Sequence, residues 1–313
     1  MKRLSLIILA FTLTFVSTFA SPVVKTGIEV LRDMDFAPLK GKRVGLVTNP
    51  SGVDSHLKST IDILYNAPGV NLVALYGPEH GVRGDVYAGG KVSDSIDSAT
   101  GLKVYSLYGA TRKPTAEMLR GVDVMVYDIQ DVGVRSYTFI STLGLVMEAC
   151  APLGIEVMVL DRPNPLGGRK IEGCYVEPAF NSFVSQYKIP YVYALTVGEL
   201  AQMINQEGLN RGQKGDQAPV KCRLTVIPME GWTRDMLYED TGLPWVLPSP
   251  NIPFKDSPMY YAASGICGEL YGFMNIGIGY KNNSVRLNQK DHICLGHRMA
   301  MCIWVLGSRV DER

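Results

Sequence analysis

Val122-Asp-Val-Met-Val-Tyr127 is an apolar, β-branched run, and Asp128-Ile-Gln-Asp-Val-Gly-Val-Arg135 follows it as a polar loop. Residues 137–151 then carry a helical pattern, and Ile155-Glu-Val-Met-Val-Leu160 reads as a strand again. Strand, polar loop, helix and strand in that order are the marks of a parallel sheet whose strands are joined over its face. Working outward, the same alternation recurs. Further strands are expected at 43–48, 70–76, 102–107 and 223–227, and helices at 55–66, 115–119 and 197–206. In the last helix Thr196 is a natural N-cap, with Glu199 three residues on to complete a capping box. Near-continuous apolar strands separated by helices predict an open, doubly wound, mostly parallel α/β domain covered on both faces.

That architecture converts scattered polar motifs into one expected place. In open α/β sheets ligands bind outside the carboxyl ends of the strands. The strands here run into Thr48-Asn-Pro-Ser-Gly52, Gly77-Pro-Glu-His-Gly-Val-Arg-Gly-Asp85, Tyr108-Gly109, Asp128-Ile-Gln-Asp131 and Asp161-Arg-Pro-Asn-Pro165. These clusters should meet in a single cleft. Glu79 and His80 sit side by side in a glycine-rich loop, where a carboxyl and an imidazole can share acid/base work. Read blandly, the same loop is a solvated surface segment. Asp128, Gln130 and Asp131 suit sugar hydroxyls or a water, and Arg135 offers a planar fork to an anion. The alternative is that Asp131 and Arg135 pair structurally at a helix N-terminus. The two prolines beside Asn164 predict a rigid turn with at most one ligand contact.

Composition narrows the function. The 313 residues hold 31 Lys+Arg against 30 Asp+Glu, 46% hydrophobic and 19% charged residues, with a formal net charge of +1. Without a basic patch, nucleic acid is not an expected partner. Lys2-Arg3 followed by an apolar run to Ala20 reads as a cleaved secretory signal over 1–20, so the mature protein is expected in the periplasm or secreted, with no membrane attachment. Six cysteines in no C-x-x-C pair do not make a disulfide scaffold, and Cys150 reads as a buried small hydrophobe. No G-x-S-x-G elbow, G-x-x-x-x-G-K-[ST] loop, G-x-G-x-x-G fingerprint or H-E-x-x-H is present, which argues against a serine hydrolase, an NTPase and a nicotinamide enzyme. No cofactor is implied. Carboxylate-rich loops with Tyr108, Trp232 and Trp245 available for stacking, on an exported chain, fit carbohydrate cleavage, which needs a carboxylic acid to protonate the leaving oxygen.

Five strings carry a resemblance: Gly45-Leu-Val-Thr-Asn-Pro-Ser-Gly52, Tyr76-Gly-Pro-Glu-His-Gly-Val-Arg-Gly84, Val126-Tyr-Asp-Ile-Gln-Asp-Val-Gly-Val-Arg-Ser-Tyr-Thr-Phe139, Leu160-Asp-Arg-Pro-Asn-Pro-Leu-Gly-Gly168 and Trp245-Val-Leu-Pro-Ser-Pro-Asn-Ile-Pro253. Over residues 27–280 the chain resembles the bacterial exo-β-N-acetylmuramidase family, long carried as a domain of unknown function. The resemblance implies a Rossmann-like domain joined to a smaller C-terminal domain with the cleft between them. It also implies removal of N-acetylmuramic acid from the non-reducing end of peptidoglycan fragments, with Glu79 as the catalytic carboxyl. On chemical grounds His80 would orient Glu79, Arg83 or Arg135 would face the lactyl carboxylate, and Asp128 and Asp131 would hold hydroxyls or a water. Asn49, Gln130, Tyr137 and Asn164 complete the expected sugar-binding set. A non-catalytic cell-wall sugar binder is the alternative.

The expected organisation is therefore a signal over 1–20, an α/β domain over 21–230, the start of a second domain over 231–280, and a tail over 281–313. That tail shares no motif with the family, so the second domain reads as truncated or aberrant. His292, Cys294, His297 and Cys302 in it match no common zinc spacing, and no metal site is expected.

Overall fold

The computed structural model describes residues 24–84, 94–209 and 219–268 and two short strands at 274–275 and 286–287. The expected signal segment lies outside the described residues, as does the expected tail apart from its one short strand.

The chain opens with helix α1 (Gly27–Asp33) and strand β1 (Arg43–Thr48), then α2 (Thr60–Tyr65) and β2 (Asn71–Gly77). Strands β3 (Ser95–Ile96), β4 (Lys103–Ser106) and β5 (Val124–Asp128) follow, then α3 (Phe139–Cys150), β6 (Glu156–Leu160), α4 (Val197–Glu207) and β7 (Arg223–Ile227). Helix α5 (Ser257–Gly268) and a two-stranded pair, β8 (Met274–Asn275) with β9 (Arg286–Leu287), come last.

Seven strands form one sheet in the order β3-β4-β2-β1-β5-β6-β7. All neighbours are parallel except the short edge strand β3, which runs antiparallel to β4. Without that edge the parallel strands follow the doubly wound order, growing outward from β1 on one side and then on the other. The order reverses between β1 and β5. The mostly parallel α/β fold expected from the sequence is the fold found.

Strand periodicity explains the apolar runs. Val124 and Val126 point to one face, where Ile28 and Leu31 of α1 and Ile61 and Leu64 of α2 cover them. Met125 and Tyr127 point to the other, under Leu143 and Val146 of α3 and Leu200 and Ile204 of α4. A strand buried on both sides has no polar face to show. Cys150 lies in the second core, where burial pushes its thiol up to about 12. Cys150, Cys174 and Cys222 are unbridged.

The helices differ more from expectation than the strands. Helix α2 begins at Thr60 rather than at residue 55, because the Asp54 carboxylate accepts from the His56 and Lys58 N–H groups and closes a turn first. Ser59 then caps Ile61 N–H. Residues 115–119 form turns rather than a helix. Helices α1 and α5 carry no signal that the sequence pattern singled out. The capping box of α4 is present: Thr196 Oγ1 accepts from Glu199 N–H, and Glu199 accepts from Thr196 N–H. Beyond β7 the chain returns over the sheet's carboxyl end, where Tyr238 N–H meets Pro165 O, and Ile252 packs with Val132, Val134 and Tyr191. Among the described residues no helix is long and apolar enough to cross a membrane.

Candidate active site

The loops after β1, β2, β4, β5 and β6 share the carboxyl end of the sheet because parallel strands all point there. Several polar side chains expected at the site build its frame. Asn49 is buried; its Oδ1 accepts from Ser51 N–H and its Nδ2 donates to Pro248 O at 3.0 Å, tying the β1 loop to the segment carrying Trp245 and Ser249. Asp128 is buried and forms a two-pronged ion pair with the equally buried Arg162, while the Thr60 hydroxyl donates to it. Gln130 donates to Asp131 O and Pro163 O, and its Oε1 has no partner. Asn164 donates to Leu195 O and accepts from Leu166 N–H. Glycine is required opposite it: a Cβ on Gly133, which has φ +78°, would lie 2.3 Å from Asn164 Oδ1.

Two arginines expected to face an anion have other partners. Arg83 grips Asp97 through Nε and Nη2 and reaches Asp62 at 3.0 Å, which anchors the β2 loop to α2 and to the β3 edge. Arg135 donates from Nη1 to Cys174 O and Ile189 O, both at 2.6 Å, and from Nε to Ser185 Oγ. Asp131 and Arg135 are not paired with each other, because the Arg135 fork turns to these carbonyls and Asp131 turns inward.

Glu79, half-buried, stands two residues past β2. Its carboxylate is in hydrogen-bonding reach of the Tyr108 phenol, two residues past β4, and burial and that carboxylate together raise the Tyr108 pKa. Glu79 also acts on Tyr137, whose pKa is raised first by burial and then by the charge of Asp131. The Tyr137 hydroxyl has no hydrogen-bond partner, although Ser249 lies near enough to favour its ionisation. Its ring packs edge-on against Phe139 and Tyr261. Asp131 Oδ2 accepts from Gly133 N–H and from the Tyr193 hydroxyl, while Oδ1 has no partner. Burial pushes the Asp131 carboxyl up to about 6, against these hydrogen bonds.

His80 is buried with φ +76°, and Gly81 follows at φ +75°. A non-glycine residue held in the left-handed region costs energy and tends to mark a functional turn. Here it lies directly beside Glu79. The sequence motif therefore leads to a half-buried carboxylate on a strained turn with a phenol donor in reach, a pair suited to proton transfer.

A family model described as exo-beta-N-acetylmuramidase NamZ, N-terminal, matches residues 44–256. The chain belongs to the NamZ family. Over 249 residues it is 51% identical to the peptidoglycan beta-N-acetylmuramidase NamZ of Bacillus subtilis (strain 168), an alignment covering 80% of this chain and 58% of that protein. Two crystal structures of DUF1343 family proteins from Bacteroides fragilis NCTC 9343 are also similar. One has a TM-score of 0.75 at 59% identity, covering 82% of this chain and 63% of its own. The other has a TM-score of 0.67 at 33% identity, covering 81% and 64%. The chain thus spans less than two thirds of the length of these relatives.

Glu79, Tyr108, Asp131, Tyr137, Tyr193 and Ser249 all lie inside the NamZ-matched span. Tyr193 and Ser249 were not legible as site residues, since neither sits in a polar motif at a strand end. Arg112, four residues past Tyr108 in the β4 loop, is exposed and its guanidinium lies 4.4 Å over the Phe183 ring. A small cavity lined by Ser51, Gln130, Arg162 and Tyr238 at the β1–β5 switch point does not include Glu79. Among the described residues no group of three or more His, Cys, Asp or Glu side chains is placed to hold a metal ion.

Proposed function

We propose that the protein is a glycoside hydrolase releasing N-acetylmuramic acid from the non-reducing end of peptidoglycan fragments, with Glu79 as general acid/base. The observation that carries this reading is Glu79 itself. In a chain of the NamZ family, it lies in the Gly-Pro-Glu-His-Gly loop at the carboxyl end of β2, in reach of Tyr108 and beside Tyr137. A half-buried carboxyl among phenols can give a proton to a departing glycosidic oxygen and take one back from water. Tyr137, which feels the charge of both Glu79 and Asp131 and whose hydroxyl has no hydrogen-bond partner, is the group suited to a sugar hydroxyl or acetamido group.

The apolar segment after Lys2-Arg3 supports export, so the reaction is placed in the periplasm or outside the cell. Intact mass of the protein recovered from an exporting host tests this, with a mature chain beginning at Ser21 the expected result. The reaction is tested by release of a chromogenic aglycone from an N-acetylmuramic acid glycoside. We expect Glu79→Gln to slow release by about 10²- to 10⁴-fold, the usual worth of a positioned proton donor. Wild-type release no faster than that of Glu79→Gln refutes the assignment, and saturable sugar binding without release would make the protein a binder instead.

A further inference from the structure

The proposed substrate carries a feature that its N-acetylglucosamine neighbour lacks, a lactyl ether ending in a carboxylate, and a cation at the site is a direct means of telling the two sugars apart. The arginines on the loops at the carboxyl end of the sheet can be sorted by partner. Arg83 is committed to Asp97 and Asp62, Arg135 to Cys174 O and Ile189 O, Arg162 to Asp128, and Arg169 to Asp235. Lys113, next in sequence to Arg112, is paired with Glu148. Arg112 is exposed and, among the described residues, has no carboxylate or carbonyl partner.

Its position is set from two sides. The β4 loop places it four residues from Tyr108, the phenol that reaches Glu79. The excursion after β6 brings Phe183 under its guanidinium at 4.4 Å. Stacking occupies the face of a guanidinium and leaves its N–H donors, which lie in the plane, free to meet a carboxylate in a two-pronged contact. An aromatic platform also removes part of the rotamer freedom that a long side chain otherwise loses on binding.

We infer that Arg112, held on Phe183 beside the Tyr108–Glu79 pair, binds the lactyl carboxylate of the terminal N-acetylmuramic acid and sets the preference for that sugar over N-acetylglucosamine. This rests on the muramidase reading for the identity of the ligand and adds a residue that neither the sequence motifs nor the family resemblance pointed to. In that role it replaces Arg83, whose fork is taken by Asp97 and Asp62, and Arg135, which is buried and donates to Cys174 O, Ile189 O and Ser185 Oγ.

The test compares wild type, Arg112→Gln and Arg112→Lys on the chromogenic N-acetylmuramic acid glycoside, with free N-acetylmuramic acid and free N-acetylglucosamine as competitors. Loss of a charge-assisted contact is expected to raise KM and the inhibition constant for N-acetylmuramic acid by about 10- to 100-fold. The constant for N-acetylglucosamine should move by less than about threefold, and Lys, which keeps the charge without the fork, should fall between. A purely structural Arg112 would shift both sugars together, and that result overturns the inference, as does an unchanged KM. If wild type releases no aglycone, the catalytic reading fails on its own. Calorimetric titration with the two free sugars then decides: a wild-type preference for N-acetylmuramic acid that Arg112→Gln abolishes upholds the assignment, and equal or absent binding ends it. Should the Gln variant not fold, the Lys variant gives the same comparison.

Discussion

Replacing Asp131 by Asn should move stability in the variant's favour as pH rises from 4 to neutral, relative to wild type. The carboxyl is buried and pushed from 3.8 up to about 6. Between those values the folded chain keeps a proton that the unfolded chain has released, so stability falls as pH rises through that window. About two pKa units correspond to about 3 kcal/mol of destabilisation, fully developed above pH 6 and mostly absent below pH 4. Asparagine has nearly the same shape. Its carbonyl can accept from Gly133 N–H and the Tyr193 hydroxyl as Oδ2 does, and it never ionises. Its amide would face the position where Oδ1 now lacks a partner, at a cost that is the same at every pH. The quantity to measure is therefore the difference in unfolding free energy between variant and wild type, from urea titrations at half-unit steps from pH 4 to 7.5. We expect it to move in the variant's favour by about 2–3 kcal/mol across the range. A difference that stays flat shows that Asp131 ionises as freely folded as unfolded, and the argument from its burial fails.

Two further substitutions probe the frame. Asp128→Ala leaves the Arg162 guanidinium buried without its counter-ion and should cost about 3–5 kcal/mol in chemical denaturation, whereas a paired exchange of both residues for apolar ones should recover most of it. A loss under 1 kcal/mol would mean that water reaches the pair. Gly144→Ala places a Cβ 1.3 Å from the buried Tyr187 hydroxyl, so α3 or the ring must shift. The expected loss is about 1–3 kcal/mol, seen as a melting temperature lower by about 3–10 °C; an unchanged melt refutes the close approach.

The central strands were legible because both their faces are buried, which writes an uninterrupted apolar run into the sequence. Strands β1 and β7 begin and end where the pattern puts them. The start of α2 was not legible, because the Asp54 turn uses the same polar residues that open helices. Helix α1 is short and combines a local cap, Thr26 N–H donating to Glu29 Oε2, with a tertiary contact, Gly27 N–H to Asp161 O, that no local pattern announces. The site divides in the same way. That polar loops converge at the carboxyl ends follows from strand direction, and the motif around Glu79 is local. The fates of Arg83 and Arg135 are not local, since their partners lie 14 to 54 residues away in sequence. Arg112 was hidden for the converse reason: it sits in no motif, and what distinguishes it is a lack of partners.

The Asp128–Arg162 pair has one more consequence. In nucleotide-binding proteins of doubly wound architecture the crevice between the first strand and the strand across the reversal receives a pyrophosphate. Here an internal guanidinium already fills the anion's seat at that reversal, neutralised by a strand-end carboxylate and hydrogen-bonded to Val53 O. That socket is plugged from within, and Glu79 and Tyr108, the groups proposed for the chemistry, stand at the ends of β2 and β4. The doubly wound order therefore does not by itself say where a ligand sits, and a search for substrate density should begin over β2 and β4.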